Sequence, residues 1–192
     1  MLNNFGNPLY ILYIHIIKVK SSNYFKILLL PIITILFLCP LYSEEQLIRD
    51  NNKNNQPTFH SQFNTYVVSD PSGYGSYQPL KSLVFKPNQT LILYIEPIDF
   101  VYKDIIYKNY TRNLMNFSTD ILISDANSSL ISKTENIHIG ELISFHKNKE
   151  VFLTIKLKFP SSFPEGKYFI QYFINDEISG KSFEIIKNVV IS

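Results

Sequence analysis

His60, His138 and His146 are the imidazoles that follow residue 43, and His138 stands three residues before Glu141. A catalytic zinc uses three side-chain ligands and keeps a fourth position open, so His138, Glu141 and His146 form the one set whose spacing suits a metal. They fall in the least patterned stretch of the chain, 136–148, where polar loop residues are the simpler account. No metal and no cofactor is expected. A blue-copper centre needs a cysteine thiolate beside two histidines. The single cysteine, Cys39, lies inside an apolar run, which excludes that chemistry. Glu96 and Asp99 lie on either side of Pro97 at a strand end, where two carboxylates could work across a cleft on a glycosidic bond. Asp120, Asp125 and Asp176 are scattered over strand ends and turns, without the regular acidic spacing of a calcium loop. No G-x-S-x-G elbow occurs among the serines. Ser72-Gly73-Tyr74-Gly75-Ser76 is Gly-rich, but no Lys-Ser or Lys-Thr opens a helix after it, so it reads as a turn and not a phosphate loop. No catalytic residue is assigned.

Two further groups concern contact and modification. The stretch Ile98–Phe117 carries Phe100, Tyr102, Tyr107 and Tyr110, interleaved with Lys103, Lys108 and Arg112. Exposed aromatics of this kind stack on sugars or anchor a protein partner; the competing account is that they close one end of a core. Asn88, Asn109, Asn116 and Asn127 each begin an N-x-S/T sequon, and all four are expected in loops or at strand ends, where an acceptor belongs.

The elements that must position these residues are strands. Ile, Val, Phe, Tyr and Thr dominate the apolar positions, and 15% of the chain is aromatic, a composition that favours the pleated sheet. Short alternating runs predict strands over Phe63–Ser69, Ser82–Phe85, Thr90–Glu96, Asp120–Ser124, Leu130–Lys133, Glu150–Phe159, Lys167–Asn175 and Ser182–Ile191. Tyr168, Ile170, Tyr172 and Ile174 alternate with Phe169, Gln171 and Phe173, the signature of one inward face on an antiparallel sheet. Asp70-Pro71-Ser72-Gly73 and Lys86-Pro87-Asn88 are turns. The segments 125–129 and 175–180 join strands as hairpin loops. Ile98–Phe117 is read as a loop. The fold class expected is all-β: a single antiparallel sandwich of about seven or eight strands, preceded by an N-terminal hydrophobic helix.

That helix is Ile27–Tyr42, an unbroken apolar run with Lys18, Lys20 and Lys26 before it and Ser43-Glu44-Glu45 after it. Sixteen residues of helix span roughly 24 Å against a hydrocarbon core of about 30 Å. The run therefore fits a signal peptide or a short membrane anchor, with the lysines inside and the remainder outside the cytoplasm. Residues 1–43 are the leader, 44–62 a polar Asn-rich linker, and 63–192 the folded domain. The chain holds 18 Lys and Arg against 16 Asp and Glu. Three of the lysines, and no acid, lie in the leader, which leaves 15 against 16 beyond it. Nucleic-acid binding needs clustered cations, and this balance excludes it.

Pro164-Glu165-Gly166-Lys167-Tyr168, leading into an alternating strand, resembles the approach to strand F of immunoglobulin-like and fibronectin-type-III-like domains, where a tyrosine turns its hydroxyl back to the chain. The loop from Asp176 through Ser179-Gly180-Lys181 is similar to the hairpin that follows. The likeness, with Leu93-Tyr94-Ile95-Glu96, is to small exported prokaryotic proteins of this fold that have no assigned activity. It covers roughly Phe63–Ser192 and lacks the paired cysteines and core tryptophan of antibody domains. A likeness of fold carries no activity with it; taken with the leader and the aromatic stretch, the reading is an extracytoplasmic, secreted or surface-anchored module without enzymatic activity, used for protein–protein contact, adhesion or envelope support. A carbohydrate-binding module, using the same aromatics with Asp or Glu for sugar hydroxyls, is the alternative; a hydrolase or metalloenzyme is the weakest reading. The partners expected are another envelope or extracellular protein, a glycan, or the membrane through the N-terminal segment.

Overall fold

The structure, a computed structural model, describes residues 58–192. The leader with Cys39, the hydrophobic helix expected in it and the first part of the expected linker lie outside the described residues.

Among the described residues there are nine strands and no helix. They are β1 (His60–Val67), β2 (Val84–Phe85), β3 (Thr90–Ile98), β4 (Lys103–Tyr107), β5 (Tyr110–Asp125), β6 (Leu130–Ser144), β7 (Leu153–Lys158), β8 (Gly166–Asp176) and β9 (Lys181–Ile191). One sheet has the order β1-β3-β7. The other runs β2-β9-β8-β5-β4, with β6 also on β5. All pairings are antiparallel except β2 with β9, a short parallel pair in which Val84 faces Val190 and Phe85 faces Ile191. The sheet is therefore mixed where a purely antiparallel one was expected.

The two sheets share one core. Leu91, Leu93 and Ile95 of β3 and Leu153, Ile155 and Leu157 of β7 meet Phe117, Ile121 and Ile123 of β5, Ile170, Tyr172 and Ile174 of β8, and Ile185 and Val189 of β9. The predicted alternation of β8 holds: Tyr168, Ile170, Tyr172 and Ile174 are buried, and the residues between them are not. Full burial of each large side chain stabilises by about 1.5–3 kcal/mol, and among the described residues there is no cysteine to add a cross-link.

β3 is buried on both faces although its neighbours are antiparallel. Its outer face, with Ile92 and Tyr94, joins Val67 and Phe152 in a second small core that Tyr74 and Tyr77 close over. The long β1–β2 connection folds back to do this. It is tied by Val68 N to Gln78 O and Leu80 N to Tyr66 O, and by a 2.8 Å bond from Lys156 Nζ to Asp70. That cover explains why TLILYI reads as a continuous apolar run and not as an alternation.

Three sequence expectations change. Ile98–Phe117 is not a loop: it contains β4 and the first half of β5. The stretch 136–148 is largely strand, because β6 runs on to Ser144. The linker ends earlier than residue 62, since Phe59 is buried against Phe117 and Phe183, and β1 begins at His60.

The sheets are joined by one polar contact deep in the core, a 3.0 Å hydrogen bond between the hydroxyls of Tyr66 and Tyr172. Burial pushes both phenols well above their ordinary range. Tyr66→Phe or Tyr172→Phe strands the other hydroxyl without a partner and should cost about 1–3 kcal/mol. The double variant removes both polar groups and should cost less than the two singles added, which urea unfolding of the four proteins measures as a coupling. The pH dependence has a definite sign. A phenol whose pKa is raised on folding lends stability that is full below about pH 10, the unfolded value. It is lost as pH rises further, because the unfolded chain then releases protons that the folded one keeps. Melting temperature should fall across that range, and less steeply in the double Phe variant.

Candidate functional site

The acidic residues that could have done chemistry are occupied in holding turns. Asp176 is fully buried and accepts from Val101 N (3.0 Å), Ile178 N (3.0 Å) and Ser179 Oγ (2.6 Å). Asp125 accepts from Asn127 N and Ser129 N, both at 2.8 Å, and so shapes the β5–β6 turn. Asp120 accepts from Asn136 N at 2.7 Å, where Asn136 takes a left-handed φ of 56° and β6 shifts register against β5. Glu96 takes the Tyr94 hydroxyl at 2.6 Å under the β1–β2 connection, and Gly75 N donates to that same hydroxyl. Asp99 turns to His60 at 3.7 Å. Each member of the Glu96–Asp99 pair thus has its own partner. Among the described residues no three His, Cys, Asp or Glu side chains are grouped as metal ligands; His138 and Glu141 are exposed on β6, and His146 lies beyond its end. Residues 72–76 form the expected turn, with Ser72 N bonded to Ser76 O and Ser76 N to Gly73 O. The small opening between β5, β6 and β7, lined among others by Ile121, Ser132, Thr134, Leu157 and Lys158, carries no carboxylate or imidazole.

The aromatic stretch divides in two. Phe100 and Tyr102 pack on the core; Phe100 meets Phe117 edge-on at 5.4 Å. The Tyr102 hydroxyl donates to Asn148 O at 2.8 Å and accepts from Asn148 N at 3.0 Å, and burial pushes its phenol up. With Asp176 holding Val101 N, these contacts fix the root of the β4–β5 hairpin. Tyr107 and Tyr110 belong to the opposite end. They are cross-strand partners on either side of Lys108-Asn109, whose φ values of 50° and 64° make a two-residue turn of the primed kind that matches strand twist.

This end projects. β8 pairs with β5 only from Phe117 onward and β6 only from Asn113, so Tyr110, Thr111 and Arg112 are paired with β4 alone. Directly opposed residues share a face, and faces alternate along each strand. One face therefore bears Lys103, Ile105 and Tyr107 from β4 with Tyr110, Arg112 and Leu114 from β5; the other bears Asp104 and Ile106 with Thr111 and Asn113. On the first face the Arg112 guanidinium lies 4.9 Å from the Tyr110 ring centroid and 3.3 Å from that of Phe145, and Lys108 Nζ lies 5.3 Å from that of Tyr107. Asn113 Nδ2 donates to Phe145 O at 3.0 Å, which docks the end of β6 here. The exposures are 76% for Ile106, 67% for Phe145, 62% for Tyr110 and 42% for Tyr107. The first face holds three aromatic rings, with Phe145; its β4 and β5 residues include no carboxylate, and Glu141 shares the face farther along β6, opposite Asn116. Sequence reasoning named Tyr107 and Tyr110 but missed Phe145, which only the long β6 brings alongside. The alternation Ile137-His138-Ile139 was the available signal for that strand.

No protein-family model matches the chain, and no curated protein does. Among solved structures, a family 123 glycoside hydrolase from Clostridium perfringens, described in work on glycolipid glycan hydrolysis, aligns at 12% identity with a TM-score of 0.34. The alignment covers 70% of this chain and 26% of that one. A likeness at that level bears on neither fold nor activity.

The sequons also divide. Asn88, Asn109 and Asn127 are exposed in turns. Asn116 is not at a strand end: it lies within β5, paired with Glu141, and its Oδ1 is buried without a hydrogen-bond partner. In a glycosylating host, peptide mapping should find sugar at some or all of Asn88, Asn109 and Asn127 and none at Asn116.

Proposed function

We propose that residues 58–192 form an immunoglobulin-like β-sandwich that works outside the cytoplasm as a non-enzymatic contact module, with the β4–β5 hairpin tip as its contact surface. Two features support the sandwich assignment. With β1, β3 and β7 as strands A, B and E, and β5, β8 and β9 as C, F and G, the sheet orders A-B-E and C-F-G follow the immunoglobulin pattern. The Tyr168 hydroxyl donates to Pro164 O at 2.8 Å, a tyrosine corner. The extracytoplasmic setting rests on the apolar run of the leader and the near-neutral balance beyond it.

The observation that carries the contact reading is the projecting tip: Ile106, Tyr107 and Tyr110 stay exposed on a hairpin whose root is firmly built into the core, with the exposed Phe145 from the end of β6 beside them. A rigid scaffold presenting a variable end is how such folds bind. Tyr and Arg are the side chains over-represented where binding energy concentrates. The combined variant Tyr107→Ala/Tyr110→Ala should abolish capture of the envelope component that photo-crosslinks at residue 107, with melting temperature nearly unchanged. Phe100→Ala should instead cost about 2 kcal/mol of stability. If the tyrosine variant melts as low as Phe100→Ala, those tyrosines are core and the surface is misassigned. A glycan array, run with both proteins, tests the carbohydrate alternative.

A further inference from the structure

We infer that the hairpin tip docks on the headgroup layer of an anionic membrane; this rests on reading the tip as the contact surface and names its partner. The first argument is charge. Lys103, Arg112 and the turn residue Lys108 stand among Ile105, Tyr107, Tyr110 and Leu114, a stretch of β4 and β5 with no acid on this face; Asp104 falls on the opposite face, and the acid that shares the face, Glu141, lies farther back on β6 opposite Asn116. At the tip such a face offers three cations and two tyrosine hydroxyls, with positive charge uncompensated by any carboxylate between residues 105 and 112. The tip complements phosphate oxygens, and between residues 105 and 112 it lacks the carboxylate acceptors that a sugar's hydroxyls would use.

Side-chain chemistry is the second argument. Tyrosine, with an apolar ring and a polar hydroxyl, and lysine or arginine, with an apolar stem and a charged head, are the residues that settle where hydrocarbon gives way to headgroups. Arg112, held between the rings of Tyr110 and Phe145, is a positioned cation on an apolar platform. Size is the third. The freely projecting part is Ile105–Arg112, eight residues, whereas a stable protein–protein interface employs roughly 20–30 residues a side. Contact with a charged bilayer needs only a few such side chains.

The chain contains no tryptophan, so Tyr107→Trp places a single reporter at the tip, and Phe169→Trp places one on an exposed position of β8 as a control. The full chain is incorporated through its N-terminal segment into vesicles of phosphatidylcholine, with or without phosphatidylglycerol. The expected result is a blue shift of the residue 107 reporter and quenching by brominated acyl chains with phosphatidylglycerol only, and silence at residue 169. High salt should reverse the signal. Lys108→Glu/Arg112→Glu should weaken the response by about tenfold or more. Lys108→Glu alone should weaken it too, and it spares the Arg112 stack should the double variant melt early. No quenching at 107 with phosphatidylglycerol, equal quenching without it, or equal quenching at 169 each overturns the inference. If 107 is silent on membranes yet photo-crosslinks a protein, the contact module stands and the membrane partner falls; if it does neither, both fall.

Discussion

Burial of two inward sheet faces against each other, with no disulfide between them among the described residues, is the constraint on which the other features depend. The aliphatic layer of β3 and β7 against β5, β8 and β9 supplies most of the driving force. The Tyr66–Tyr172 hydroxyl pair adds little net energy. Its contribution is register: two buried polar atoms that satisfy only each other penalise any sliding of one sheet over the other. The long strand β5 then serves three neighbours, with β6 along one edge and β8 and β4 in succession along the other. Because β8 stops short, the far end of β5 must leave the sandwich, and the hairpin follows from that.

The same economy explains why so many acids do no chemistry. A turn buried at the end of a two-sheet core leaves backbone N–H groups facing inward, and each needs an acceptor. Asp176 meets two such N–H groups and the Ser179 hydroxyl; in the more exposed turns Asp125 takes two N–H groups and Asp120 one. Across β5 and β8, Asn175 Nδ2 donates to Ser118 Oγ, which is in turn bonded to Glu177, whereas the Asn116 Oδ1 on β5 stays buried without a partner.

Sequence patterning revealed the elements that are buried on one face. β7, β8 and β9 were legible because Leu153, Ile155 and Leu157, or Tyr168 through Ile174, recur at every second residue. β4 and the start of β5 were not, because Asp104, Thr111 and Asn113 lie on an exposed face of a strand whose other face is also solvated, and no core imposes a period there. The turn was hidden too: Lys108-Asn109 adopts the left-handed backbone without the glycine that usually signals it. At the site, aromatic content correctly drew attention to Ile98–Phe117, but composition cannot separate Phe100 and Tyr102, which the core claims, from Tyr107 and Tyr110, which it leaves out. That division follows from the point at which β8 ends.

The way the hairpin is fastened has a consequence for how the molecule can change over time. Phe100, Tyr102 and the Asp176 carboxylate clamp its root, while residues 105–112 share no ladder with any other strand. Opening of the outer turn therefore breaks few contacts and is uncoupled from global unfolding. Substitutions and small insertions there draw on no core stability, so descendants of this chain can alter what the tip touches while inheriting the sandwich intact.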